Sequence, residues 1–209
     1  MHWQPDDPQL AAEIARLHDA ARASDAARAE RGGFEPGEDV DDLVRLGSEY
    51  LALSPDEAEL VYVVARAMGA RNIVEFGASF GVSTLYLAAA ARANGGQVTT
   101  TEVHPRKCAA LRDTLNRAGV ADIVTLLEGD ARETLASVGG PVDLLLLDGW
   151  KGMYTEVLDL VGPRMPVGGL VIADNLNHVA AGPYVRRMRP GGGWLMQRRG
   201  AMGLSLKLA

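Results

Sequence analysis

Short apolar runs alternate with longer amphipathic stretches from about residue 54 to residue 175. Five runs predict strands, at Asn72–Phe76, Gln97–Val103, Ile123–Leu127, Val142–Leu147 and Gly169–Ala173. Leu144-Leu145-Leu146-Leu147 and Leu170-Val171-Ile172-Ala173 contain no polar residue. That is the pattern of strands covered on both faces of a parallel sheet. Helices are predicted between the strands, at about 81–93, 105–118, 131–137 and 152–161. The βαβα rhythm predicts an α/β fold, a doubly wound and mostly parallel sheet with helices on both faces.

The flanks follow other patterns. Gln9 to about Glu30 carries Leu10, Ile14 and Leu17 at helical spacing. Gly32-Gly33 and Pro36-Gly37 break that helix, and residues 39–47 predict a second short one. Ser54-Pro55-Asp56-Glu57 reads as a helix start, with Ser as N-cap, Pro at the first position and Glu three residues on. Beyond Asn175 a short helix is expected near Pro183–Met188. Trp194–Gln197 and Leu204–Leu208 then read as an antiparallel hairpin. The whole, residues 1–209, is expected to be a single domain, with a helical extension over 1–50 and a core over 54–209.

Composition changes this picture little. The chain is 47% hydrophobic and 23% charged, and no apolar stretch approaches the roughly 20 residues that span a bilayer. Met1-His2-Trp3-Gln4-Pro5-Asp6-Asp7 has neither a basic nor an apolar leader region, so a cytoplasmic location is expected. The single Cys108 excludes an intrachain disulfide and a cysteine-based zinc site. Charge is uneven. Every acid lies at or before Asp174, and the last 35 residues hold Arg186, Arg187, Arg189, Arg198, Arg199 and Lys207. Such a basic tail either attracts an anionic partner or pairs with acids elsewhere on the chain.

Chemistry gathers where the apolar runs end. Ligands bind outside the carboxyl ends of parallel strands. Asp148-Gly149-Trp150-Lys151 follows one run, and Asp174-Asn175 follows another. Two carboxylates, an amide and an amine are thus expected on one rim, with oxygen donors suited to a hard divalent cation. Plainer readings are open for each. Asp148 could cap a helix, Asp174-Asn175 could form a polar turn, Lys151 could be a surface lysine and Trp150 could be core. Upstream, Gly77 and Gly81 in Glu75-Phe76-Gly77-Ala78-Ser79-Phe80-Gly81-Val82-Ser83 would let backbone approach a ligand at a helix N-terminus. Their G-x-x-x-G spacing departs from the dinucleotide fingerprint. Glu102, at the second strand end, could accept both hydroxyls of a ribose. Asp130, at the third, would lie near an adenine or cap the next helix. In order at successive strand ends, these residues point to an adenosine-containing ligand.

The segment from about Ser54 to Asn175 resembles the class I S-adenosylmethionine-dependent methyltransferases. More narrowly, it resembles the cation-dependent O-methyltransferases that include catechol O-methyltransferase. The resemblance rests on E-x-G-x-x-x-G-x-S, T-x-E, L-L-D-x-W-K-x-x-Y and G-G-L-V-I-A-D-N, in that order. It implies a Rossmann-like fold and S-adenosylmethionine as cofactor. Glu75, Gly77, Ser79, Gly81 and Ser83 would hold the cofactor's amino-acid end, Glu102 and Val103 the ribose, and Asp130 and Ala131 the adenine, with Asp148 nearby. It also implies Mg²⁺ on Asp148, Asp174 and Asn175, Lys151 as general base, and a homodimer. Trp150 and Leu51 are candidate walls of the acceptor pocket. Two departures stand out. Gly149 occupies a position where many relatives have His or Ala, and no acid follows Asp174 to hold a second substrate hydroxyl.

This set suits methyl transfer to a hydroxyl, where a cation lowers the pKa of the acceptor and orientation aligns it. A small phenolic or catechol-like acceptor is the expectation. Three other readings compete. The basic tail would serve an RNA-modifying methyltransferase, although the acidic bulk and the lack of an aromatic platform disfavour nucleic acid. A non-catalytic cofactor-binding protein leaves Lys151 and the metal set unexplained. An NAD-dependent dehydrogenase is disfavoured by the glycine spacing.

Overall fold

Strand parity organises the molecule. The computed structural model describes residue 3 and residues 5–32, 47–189 and 191–209. Its sheet comprises β1 (Asn72–Phe76), β2 (Gln97–Glu102), β3 (Val124–Glu128), β4 (Leu144–Leu147), β5 (Leu170–Ala173), β6 (Trp194–Arg199) and β7 (Met202–Lys207). The order is β3-β2-β1-β4-β5-β7-β6. The first five strands are parallel, and β7 is antiparallel to both β5 and β6. Side chains alternate between faces along a strand. Accordingly Ile73, Leu144, Leu146 and Ile172 enter one apolar cluster, and Val74, Phe76, Leu145, Leu147, Val171 and Ala173 enter the other.

The first cluster is covered by α1 (Pro8–Glu30), α2 (Pro55–Ala67), α3 (Val82–Asn94) and α4 (Pro105–Arg117). The second is covered by α5 (Ala131–Thr134), α6 (Tyr154–Val161) and α7 (Gly182–Arg187). The doubly wound, Rossmann-like arrangement with a C-terminal hairpin is therefore as the apolar pattern indicates. Helix α3 is buried at every position from Val82 to Ala91, because α1 and α2 cover the side that faces away from the sheet. Helix α2 starts on the expected reciprocal cap between Ser54 and Glu57. Helix α1 presents Leu10, Ile14 and Leu17 to the same core, so it is packed onto the sheet domain.

Boundaries differ where local bonding wins over apolarity. Val142 is buried but lies outside β4, and its N–H donates to the Arg164 carbonyl. The helix expected over 131–137 is a single α-turn, α5, followed by a 3₁₀ turn at Leu135–Ser137. The short helix expected at 39–47 lies outside the described residues except for Gly47. Both hairpin strands are in place, with their bounds moved to 194–199 and 202–207.

The register sets up the site. Phe76 pairs with Thr101 on one side and with Leu147 on the other, and Leu147 pairs with Ala173. The next residue on each strand is Gly77, Glu102, Asp148 or Asp174. These four therefore sit in one row along the carboxyl edge.

One turn on the opposite edge is tightly constrained. A Cβ on Gly96 would run into the backbone of Arg71, which accepts the Gln97 N–H. We expect Gly96→Ala to cost about 1–3 kcal/mol through overpacking, read by urea denaturation. An unchanged midpoint would show that this turn relaxes freely.

Candidate active site

The turn between β1 and α3 is held from below. Glu75 has no exposed surface, and its carboxylate accepts hydrogen bonds from Ser83 Oγ (2.5 Å), Thr84 Oγ1 (2.6 Å) and Thr100 Oγ1 (2.6 Å). Burial raises its pKa, against the lowering effect of the three hydroxyls. Glu75 and Ser83, the residues expected at the cofactor's amino-acid end, are thus also bonded to each other between sheet and helix. That bonding fixes the shape of the turn. The glycines are also needed for internal reasons. A Cβ on Gly77 would lie 2.5 Å from the Gly149 Cα, and one on Gly81 would lie 2.6 Å from Leu111 Cδ1. Both have positive φ, as glycine readily adopts.

The upper side of the turn offers polar groups. Ser79 has φ +49°, and its N–H donates to Glu102 Oε2 at 2.8 Å. Its hydroxyl is buried with no hydrogen-bond partner among the described residues. Glu102 Oε1 accepts the N–H groups of Val103 and His104, both at 2.8 Å. The carboxylate is thereby aimed by backbone and retains acceptor capacity. Val103 is exposed and Ala131 is buried. Asp130 takes the plainer of its two readings. It caps α5 through the Arg132 N–H and pairs with the Arg132 side chain, which holds its carboxyl below the usual range.

Across the row, the ends of β4 and β5 bring two acids together. Asp148 is one-ninth exposed, with Lys151 Nζ 3.4 Å from its Oδ1 and 3.4 Å from its carbonyl oxygen. Its pKa is pushed up to about 7, first by burial and further by Asp174, while Lys151 opposes the shift. Asp174 is also raised, chiefly by burial, against the Asn175 N–H that bonds its carboxylate. Its Oδ1 is buried with no hydrogen-bond partner among the described residues. Asn175 sits at φ +53°, a conformation asparagine tolerates better than most residues. No group of three His, Cys, Asp or Glu side chains that could hold a metal forms among the described residues. The donor set is two carboxylates and an amide, and an orphaned buried carboxylate oxygen fits a hard cation.

The residues from 74 to 176 match the family model described as a methyltransferase domain. The chain is 32% identical over 172 residues to catechol O-methyltransferase of Mycobacterium tuberculosis, across 82% of this chain and 66% of that protein. It is 30% identical over 138 residues to catechol O-methyltransferase of Niastella koreensis, across 64% of this chain and 62% of that protein. It therefore spans somewhat under two thirds of the length of these relatives. The crystal structure of cofactor-bound Rv0187 from MTB superposes with a TM-score of 0.71 at 27% identity, over 97% of this chain and 90% of that one. Over residues 74–176 this chain is similar to the class I methyltransferases, with O-methyltransferases among its relatives. A further likeness, to the O-methyltransferase from Bacillus cereus in complex with SAH, has a TM-score of 0.68 at 17% identity. It covers 91% of this chain and 99% of that one, and it shows the fold alone.

Several residues in this segment owe their place to contacts that the sequence does not show. Gly149 is one. A Cβ there would lie 2.6 Å from the Phe76 ring, so the glycine follows from an aromatic residue at the end of β1. Lys107 is another. It is almost fully buried, with Nζ 5.5 Å from the centre of the Phe80 ring, and burial lowers its pKa. Phe80 in turn stacks on Tyr50 at 4.0 Å, which pins the segment carrying Leu51 beside the cofactor turn. Leu51 and Trp150 are both half-buried, and Trp150 packs on the second apolar cluster.

The Asp148 shift gives a pH prediction. A carboxyl whose folded pKa lies above its unfolded value binds its proton more tightly when folded. Its contribution to stability is then present at low pH and is lost as pH rises from about 4 to 7. We expect the metal-free protein to lose thermal stability across that window, and Asp148→Asn to flatten the loss. Identical slopes in the two proteins, followed by calorimetry, would remove Asp148 as the cause.

Proposed function

We propose that this chain is an S-adenosylmethionine-dependent O-methyltransferase acting on a small phenolic or catechol-like acceptor, assisted by a divalent cation such as Mg²⁺. One observation carries the reading. Two buried acids, one with an orphaned oxygen, lie beside a lysine amine in the same row as the turn that fits the cofactor.

Asp148, Asp174 and Asn175 would hold the cation, and when bound it would neutralise the two acids and acidify the acceptor hydroxyl. When bound, S-adenosylmethionine would supply the methyl group from its sulfonium sulfur, which would become a neutral thioether as the acceptor oxygen is methylated. The chain's own residues do the remainder. Lys151, held next to Asp148, receives the hydroxyl proton in its uncharged amine form. Glu102 takes the ribose hydroxyls through its remaining acceptor capacity, and the free Ser79 hydroxyl bonds the cofactor. The N–H groups opening α3 face the cofactor's carboxylate, as helix N-termini favour anions. Gly77, Gly81, Val103 and Ala131 serve by shape. Asp130 would reach an adenine only by sharing its contact with Arg132. Leu51 and Trp150 flank the acceptor.

The basic tail lends little to an RNA substrate. Lys207 Nζ is bonded to the carbonyls of Gly162 and Met165, and Arg187 pairs with Asp159. Those cations are partly spent within the molecule.

With S-adenosylmethionine and a panel of catechols, turnover should depend on added Mg²⁺. Asp148→Ala and Lys151→Met should each lose ~10²-fold or more in kcat/KM, the scale of a lost proton acceptor or charge stabiliser. Full activity in EDTA would refute the metal role, and methylation of tRNA with no catechol turnover would refute the small acceptor.

A further inference from the structure

Beneath the reactive rim lies a buried aromatic column that the chemistry above does not use. Tyr154, at the start of α6, is completely buried. Its hydroxyl donates to the main-chain carbonyl of Asp174 at 3.0 Å. The Lys151 Nζ lies over its ring, 5.8 Å from the centre, within the range at which an ammonium is attracted to an aromatic face. The ring meets Phe76 and Tyr184 edge-on, at centroid distances of 6.4 and 5.8 Å. Phe76 is the side chain that confines Gly149. One side chain therefore touches the end of β5, where an acid sits, and the lysine that follows β4.

We propose that Tyr154 is the positioning residue of the rim. Its hydroxyl fixes the main chain at Asp174, and its ring sets the height of the Lys151 amine. The inference rests on the metal-assisted reading above. Three facts distinguish it from plain core packing. The Asp174 carbonyl is at the strand end, past the last β5–β4 pair. Asp174 and Asn175 together carry two of the three oxygen donors. Tyr184, a second buried tyrosine in the same column, spends its hydroxyl on Ser205 instead, at 3.3 Å, away from the rim. Burial raises the pKa of both phenols, so both are neutral hydroxyls at physiological pH.

That pair supplies the experiment. Tyr154→Phe and Tyr184→Phe each remove one buried hydroxyl and keep the ring. Mg²⁺ is titrated calorimetrically with S-adenosylmethionine bound, S-adenosylmethionine affinity is measured separately, and amide hydrogen exchange is followed over residues 174–176. We expect Tyr154→Phe to weaken Mg²⁺ by ~3- to 10-fold, the effect of one lost hydrogen bond. It should also speed exchange at 174–176 and leave S-adenosylmethionine affinity within about twofold. Tyr184→Phe should lower thermal stability comparably without either change. Unaltered exchange at 174–176 in Tyr154→Phe overturns the proposal, as does an equal loss of Mg²⁺ affinity in Tyr184→Phe. A wild-type protein that binds no Mg²⁺ refutes the metal reading alone, and the exchange comparison then still decides the role of Tyr154.

Discussion

The parallel register across β2, β1, β4 and β5 is the constraint on which the site depends. The strands end in step, so the residue that follows the last shared pair on each lies at the same level. Because the pairings are in step, Gly77, Glu102, Asp148 and Asp174 form a row without any long loop to carry them. Main-chain bonds continue past the strands. The Asp148 N–H donates to Phe76 and the Asp174 N–H donates to Leu147, so the acids are held by the ladder itself. A site built on strand ends is positioned more rigidly than one built on loops.

Electrostatics divides the row into two halves. On the turn side the carboxylates find their hydrogen-bond donors within the scaffold. Glu75 has three hydroxyl donors, and Glu102 has three main-chain N–H donors. On the rim side they find fewer. Burial raises the cost of ionising both Asp148 and Asp174, Asp174 adds to that of Asp148, and one lysine stands beside Asp148 at the edge of hydrogen-bond distance. Buried acids without enough partners are unfavourable unless something else meets them. The imbalance marks where an external charge belongs, and the balanced half marks where the scaffold must stay still.

The fold and the row were legible because apolar runs that stop at a polar residue give both a strand and its end. What the sequence conceals is the direction of a side chain whose type suits either role. Glu75 reads like a ligand contact, and the sequence does not show that its parity with Ile73 also brings it to hydroxyls of α3. Asp130 shows a related case, because a cap and a ligand contact require the same residue at the same place, and the structure shows the cap with its Arg132 pair. Lys107 had no signal at all, and Tyr154 entered only as the last letter of a motif, with no role attached. Their importance comes from contacts to Phe80 and to the Asp174 carbonyl, which are distant in sequence or made to main chain.

The contact of Gly149 with both Phe76 and Gly77 has a consequence for how such a chain can diversify. Positions 76, 77 and 149 share one small volume, and the two glycines touch backbone to backbone. A larger residue at 149 requires a smaller one at 76, while 77 has no freedom at all. The three positions should therefore change in concert among descendants of this sequence. Pocket redesign that starts at 149 is in practice a redesign of the end of β1.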